Sequence, residues 1–283
     1  MNFSILAAFG AALALAGEAQ AATPPAAATA PTEADWRTPD PRNVLVIDTN
    51  KGRIIVELAP EIAPLTAARV RELAHAGFYD GRSFFRVIDD FMDQTGDPTD
   101  TGRGGSTKPD LPGEFTFRRG SETPMVVVAK NNGMEEGFIG SQPVIGQTMD
   151  LALLTADNKV NAWGTFCPGV AGMARSESPD SGNSQFFLMR GLQTNLDQKY
   201  TPFARVIAGE DVVKAIKTGE PVADPQDKML TVRVLADLPP ASRPTVRVID
   251  TRGPWFTAMV AHQTAEKGSP VSVCDLNLPS QIK

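Results

Sequence analysis

Short β-rich runs dominate the middle of this chain, and only two stretches carry helical spacing. Val44 to Ile47 and Arg53 to Leu58 are the first two runs, joined through Asp48-Thr49-Asn50-Lys51-Gly52, whose final glycine suits the left-handed position of a bulged hairpin. Further runs are Ser83 to Ile88, Met125 to Ala129, Gly169 to Ala174, Gln185 to Met189, Phe203 to Ile207 and Met229 to Leu235. Pro64 opens one helix, in which Ala67, Val70, Leu73 and Ala74 recur on one face before Gly77 ends it. Glu210 and Asp211 start a second, with Lys214 and Lys217 towards its end and Gly219 after them, in the order the helix dipole favours. Many short strands and two helices predict an all-β fold, a closed or nearly closed antiparallel barrel with helices covering its ends.

The segment before the first strand bears on location. Residues 1–21 combine an apolar stretch, Ile5 to Ala16, with Ala19-Gln20-Ala21, the small-x-small pattern a signal peptidase needs. The stretch is too short to span a bilayer, so a signal peptide cleaved near Ala21 is expected, with a periplasmic or secreted product and no membrane insertion afterwards. Residues 22–42, rich in Ala, Pro and Thr, are expected to be a flexible leader. The isomer of this reading, an apolar helix retained in the mature chain, is the alternative. The net charge is −6, which gives no general attraction for phosphate backbones or anionic lipid and argues against nucleic-acid partners. Cys167 and Cys274 are the only cysteines and form no CxxC pair. In an oxidising compartment a disulfide between them is expected, worth about 4 kcal/mol on a chain-entropy view; two buried thiols that never meet are the alternative. Residues 238–283 turn Pro-rich and offer one strand-like run, Thr245 to Ile249, so they read as a C-terminal extension.

Most catalytic constellations lack their residues. His75 and His262 are the only histidines, and neither sits in a triad or zinc motif. Asp89, Asp90, Asp93, Asp97 and Asp100 lack the spacing of a calcium loop and are expected to be solvated turns. Gly102-Arg103-Gly104-Gly105 has no following GK[ST] and reads as a tight surface turn. No metal or cofactor is expected.

Two segments remain, FFRVIDDFMDQTGD at 84–97 and GVAGMARSESPDSGNSQFFLMRG at 169–191. Together, in this order, they resemble the paired active-site motifs of the cyclophilins, F-x-R-x-x-x-x-F-x-x-Q-x-G-D and M-A followed by a polar loop and Q-F-F. The resemblance covers residues 43–237, interrupted by an insertion at 120–166. It implies a closed antiparallel eight-stranded barrel with two covering α-helices, and peptidyl-prolyl cis/trans isomerase activity on exported proteins. It further implies that Arg86 is the donor that weakens amide resonance and that Gln94 orients it. Phe91, Met92, Phe187 and Leu196 would seat the proline ring with Tyr200 on the wall, and Ala174, Arg175 and Gln185 would contact the bound peptide. Taken singly, Phe91, Met92 and Phe187 fit an ordinary core as well. Arg86 does not, because an unpaired buried guanidinium is costly.

Asn195 stands where many eukaryotic members carry tryptophan, so weak cyclosporin binding is expected. Tyr200 replaces their histidine, as in exported bacterial members, and keeps an aromatic wall. Proline-containing unfolded or exposed polypeptides are the expected partners, and the protein is expected to be a monomer. A binding or chaperone module on the same scaffold, with little turnover, is the rival reading; an exported hydrolase finds no nucleophile elbow.

Overall fold

A computed structural model describes residues 30–283. The segment expected to be a signal peptide, 1–21, and the first part of the leader lie outside the described residues. Strands are numbered along the chain. The principal sheet contains β2 (Val44–Thr49), β3 (Gly52–Leu58), β4 (Arg86–Ile88), β5 (Met92–Thr95), β11 (Val170–Met173), β12 (Phe186–Met189), β13 (Thr201–Ala208) and β14 (Met229–Val234), in the order β14-β2-β3-β13-β11-β12-β5-β4. A second sheet, β6-β10-β9-β8-β7, joins β6 (Phe117–Arg119) to β7 (Val126–Asn131), β8 (Met134–Ile139), β9 (Gln142–Gln147) and β10 (Val160–Gly164). A third, β1-β15-β16, is made by β1 (Trp36–Arg37), β15 (Val246–Ile249) and β16 (Ser280–Ile282).

The β2–β3 hairpin shows why the principal sheet forms. Thr49 pairs with Gly52, so the loop is two residues, and Gly52 takes φ +138° where a Cβ would meet Val212 at 2.8 Å. Both strands are apolar almost throughout, because the sheet buries both faces. Leu45, Ile47, Ile54 and Val56 point into an inner core with Val70, Leu73, Phe186 and Leu188. Val44, Val46 and Ile55 point the other way, into an outer core with Phe138, Phe187, Val248, Phe256 and Leu276.

Helix α1 (Pro64–His75) covers the inner core with Ala67, Val70, Leu73 and Ala74, and α2 (Glu210–Ala215) adds Val213. Ala63 cannot cap α1 with its side chain; the Glu114 carboxylate does so, accepting from Leu65 and Thr66 N–H at 2.9 and 2.8 Å.

Three expectations need correction. The barrel is a curled half-barrel rather than closed: β4 is three residues long, and it and the residues just before it meet the segment ahead of β14 through the isolated bridges Val87–Gly219 and Ser83–Lys228 rather than through a paired strand. A third helix, α3 (Pro254–Lys267), stands in the tail beside the two expected; Pro254 at its first turn and Gly268 at φ +68° after its end mark it, while only Phe256 and Met259 on it are buried. Residues 30–42 are not a loose leader. Asp35 is buried, accepting from Thr32 N–H and hydroxyl, Trp36 and Arg37 pair with Ile249 and Val248, and Arg37 grips Glu57 with two bonds of 2.6 and 2.7 Å. The Ala/Pro/Thr-rich composition conceals this one anchoring cluster.

The second and third sheets meet over the outer core. Cys167 and Cys274 are joined by a disulfide, with Cα atoms 5.1 Å apart. Glu136 on β8 accepts from Val273 N–H and the Ser272 hydroxyl at 2.9 and 3.1 Å, and the Phe138 ring meets Phe256 edge to face. The insertion and the tail are therefore bound to one another as well as to the barrel.

Candidate active site

The register of four strands sets one row of positions on the outer face of the half-barrel. Arg86 on β4 lies opposite Gln94 on β5, Gln94 lies opposite Phe187 on β12, and Phe187 opposite Gly172 on β11. Side chains of directly paired residues share a face and touch. Met92, two residues before Gln94, joins this face and is buried.

Gly172 matters because it has no side chain: a Cβ there would run into the Phe187 ring at 2.4 Å and the Phe166 ring at 2.7 Å. Phe187 therefore lies flat over the sheet, stacked on Phe166 (5.9 Å) and meeting Tyr200 edge to face at 5.9 Å. Leu196, on the short turn Thr194–Leu196, completes the apolar floor. Phe91 is half-buried at its rim, with the Arg86 guanidinium 5.9 Å from its ring centre.

Arg86 itself is 35% exposed, so it reaches solvent without paying full desolvation. Its Nη1 approaches Gln94 Oε1 at 3.4 Å, and its Nε donates to Glu220 Oε1 at 2.5 Å. Gln94 Nε2 donates to Gln185 Oε1 at 2.9 Å, and Gln185 Nε2 donates to the Gly104 carbonyl at 2.7 Å. This relay leads from the guanidinium into a cavity of about 570 Å³ lined by Gln94, Arg103, Gly104, Ala174, Arg175 and Gln185. Arg175 packs its guanidinium 4.5 Å over Tyr200 and donates to the Lys199 carbonyl at 2.9 Å.

Of the ten residues singled out for catalysis or substrate contact, Gln94, Ala174, Arg175 and Gln185 line this cavity and Arg86 contacts Gln94, while Met92, Phe187 and Leu196 are buried in the outer core with Phe91 and Tyr200 packed against them. One detail changes. The Ala174 N–H donates to the Gln185 carbonyl at 2.9 Å, so backbone pairing of a peptide with Ala174 can run only through its carbonyl.

The acidic segment also differs from expectation. Asp93 and Asp97 are fully buried rather than solvated. Burial pushes the Asp93 carboxyl up to about 7, even though Arg190 reaches it at 3.3 Å. Burial also acts upward on Asp97, but N–H donors from Thr99, Gly104 and Gly102 with the Thr99 hydroxyl outweigh it and hold that carboxyl below its ordinary range. Asp97 thereby folds the glycine turn 102–105 into a wall of the groove. Among the described residues no cluster of His, Cys, Asp and Glu could hold a metal ion.

Sequence reasoning missed several contributors. Phe166 stands just before the second motif and Gly172 within it, but both look like ordinary core. Asp197 staples the Leu196 turn to Thr165 and Phe166 at 2.8 and 3.0 Å, and burial raises its carboxyl. Glu220 arrives from a loop far along the chain, which no local pattern signals.

An apolar pocket beside one partly exposed guanidinium, with amides fixing its direction, can seat a ring and polarise an amide nitrogen. The family described as cyclophilin type peptidyl-prolyl cis-trans isomerase/CLD matches residues 44–235. The chain belongs to the cyclophilins. It is 31% identical over 214 residues to a Brucella suis protein named "Probable peptidyl-prolyl cis-trans isomerase", spanning 70% of this chain and 85% of that one. It is 33% identical to a peptidyl-prolyl cis-trans isomerase-like 1 of Rhizopus delemar, over 68% of this chain and 89% of that one. The solved cyclophilin AquaCyp293 from Hirschia baltica is 35% identical and superimposes with a TM-score of 0.80, covering 87% of this chain and 93% of that one. That coverage exceeds residues 44–235, so the likeness of this cyclophilin to AquaCyp293 reaches beyond the family-matched part.

Proposed function

We propose that this cyclophilin accelerates rotation about Xaa-Pro bonds of exported proteins, with Arg86 as the donor to the proline nitrogen. The Arg86–Gln94–Phe187 row carries the reading, because the register sets Arg86 and Gln94 on the same face as Phe187, which packs with Met92 and Leu196. Peptide-bond rotation crosses a barrier of about 18–20 kcal/mol that comes from amide resonance. No bond is made or broken, so neither a nucleophile nor an acid–base pair is called for. The proline ring rests on Met92, Phe187 and Leu196 with Phe91 and Tyr200 at the sides. The carbonyl before proline then turns while the ring stays still. As the nitrogen loses conjugation, its lone pair becomes a hydrogen-bond acceptor, and Arg86 donates to it most strongly at the top of the barrier. Gln94, itself held by Gln185, limits where the guanidinium can point.

Export is supported by the apolar segment and small-x-small site at residues 1–21 and by the Cys167–Cys274 bond, which persists in oxidising compartments. Clients are proline-containing chains folding there, where slow isomerisation limits folding. The protein acts as a monomer. The test is cis-to-trans exchange of a short Xaa-Pro peptide measured by NMR. The intact protein should speed exchange, and Arg86→Ala should lower kcat by about 100-fold while the fold persists. A protein that binds the peptide without speeding exchange would instead be a binding module.

A further inference from the structure

The edge at which the half-barrel fails to close delivers a carboxylate to Arg86. Gly219 and Val87 exchange both backbone hydrogen bonds at 2.8 Å, and Val222 N–H donates to the Phe85 carbonyl at 2.9 Å. Arg86 lies between Phe85 and Val87, and Glu220 lies between Gly219 and Val222, so the two residues are brought together by backbone on either side. The loop is fastened elsewhere too. Val222 is buried, Lys217 N–H donates to Asp227 at 2.8 Å, and the Lys217 ammonium donates to the Ala223 carbonyl at 2.6 Å. Glu220 Oε1 then accepts from Arg86 Nε at 2.5 Å. The Gln94 contact to Nη1, at 3.4 Å, is the longer of the two restraints on the guanidinium.

We propose that Glu220 is a positioning residue for Arg86, holding Nε so that the guanidinium plane presents its Nη donors to the proline site. The proposal rests on the assignment of Arg86 as the donor. Two opposed effects follow from a carboxylate at this place. Its charge weakens the field of the guanidinium, whereas its bond fixes the orientation of a long, flexible side chain. Glu220 is 56% exposed, so water screens the charge while the bond geometry remains. Orientation wins, and removing Glu220 slows turnover rather than speeding it.

The full-length mature protein carries the test. Glu220→Ala should reduce kcat for Xaa-Pro exchange about three- to ten-fold, with KM and thermal midpoint unchanged. Glu220→Gln keeps an oxygen acceptor in the same place and should restore kcat to within about two-fold of the parent. The Arg86 Nε–H resonance should be protected from solvent exchange in the parent and in Glu220→Gln, and lose that protection in Glu220→Ala. In an Arg86→Ala background, Glu220→Ala should have no further effect. An unchanged kcat in Glu220→Ala, or an equal fall in both backgrounds, would overturn the proposal. A fully active Arg86→Ala variant would overturn the donor assignment and the proposal with it. That failure is recognisable because the Nε–H protection in the parent would remain.

Discussion

Two neighbouring rows cross the same three strands and face two different cores. The outer row, Arg86–Gln94–Phe187, faces the groove; the inner row, Val87–Asp93–Leu188, is displaced from it by one residue and faces the barrel interior. The inner row packs with α1 and α2. The outer row shares its core with the tail and insertion: Met92 and Phe187 belong to the same buried cluster as Phe138, Cys167, Phe256 and Leu276. A pocket floor shaped this way depends on segments that a minimal barrel does not need for its own interior. Packing in such a core transmits small displacements, so loosening the tail should be felt at Phe187.

The largest test of that contrast is removal of the Cys167–Cys274 bond, which closes a loop of sequence separation 107. Cys167→Ser with Cys274→Ser should cost about 4 kcal/mol. Hydrogen exchange should show the loss concentrated in β15, β16, α3 and β8, with β2 and β3 amides protected longest. Uniform loss across both regions would contradict the division into two cores.

The inner row predicts a dependence on pH. The Asp93 carboxyl titrates near 7 in the folded chain, well above the 3.8 of an exposed aspartate. Between those values the native state holds a proton that the unfolded state has released, so stability falls as pH rises. At about 1.4 kcal/mol per pH unit, the loss from pH 5 to 7 is about 2 kcal/mol, and Asp93→Asn should flatten it. Urea midpoints at several pH values measure this; parallel curves for parent and variant would refute the assignment.

Phe186 and Phe187 are adjacent, both buried, and on opposite faces. Replacing either with leucine should cost about 1–1.5 kcal/mol of stability. Only Phe187→Leu should also depress kcat/KM, by about ten-fold, whereas Phe186→Leu should retain activity per folded molecule to within about two-fold. Equal activity losses would mean the faces are not functionally distinct. A smaller effect, about 1 kcal/mol, is expected for Glu136→Gln, which weakens the tie to Val273 and Ser272 without touching the barrel interior. Thermal midpoints of parent and variant measure it.

What the sequence disclosed follows the same boundary. β2, β3 and α1 were legible because a continuous apolar run, Gly52, Pro64 and an i, i+3 face each constrain the local chain. Arg86, Gln94, Arg175 and Gln185 were legible because they lie in two compact motifs. The insertion was only partly so: β7 announces itself as Val126-Val127-Val128, but β8 and β9 contain Gly137, Pro143 and Gly146, which blur strand periodicity. α3 hid behind a face that buries little, and Trp36 behind a composition that signals disorder. The burial of Asp93 and the approach of Glu220 arise from tertiary partners, Arg190 and Arg86, that no neighbouring residue indicates.

In the proposed function, a directed guanidinium on the outer row polarises the proline nitrogen. Arg86→Lys tests it most directly, since the ammonium keeps the charge and loses the planar fork that Gln94 and Glu220 hold. Peptide exchange measured by NMR at matched stability should show kcat at least ten-fold below the parent, with peptide binding retained. Exchange at the parental rate in Arg86→Lys and in Arg86→Ala alike would contradict the account.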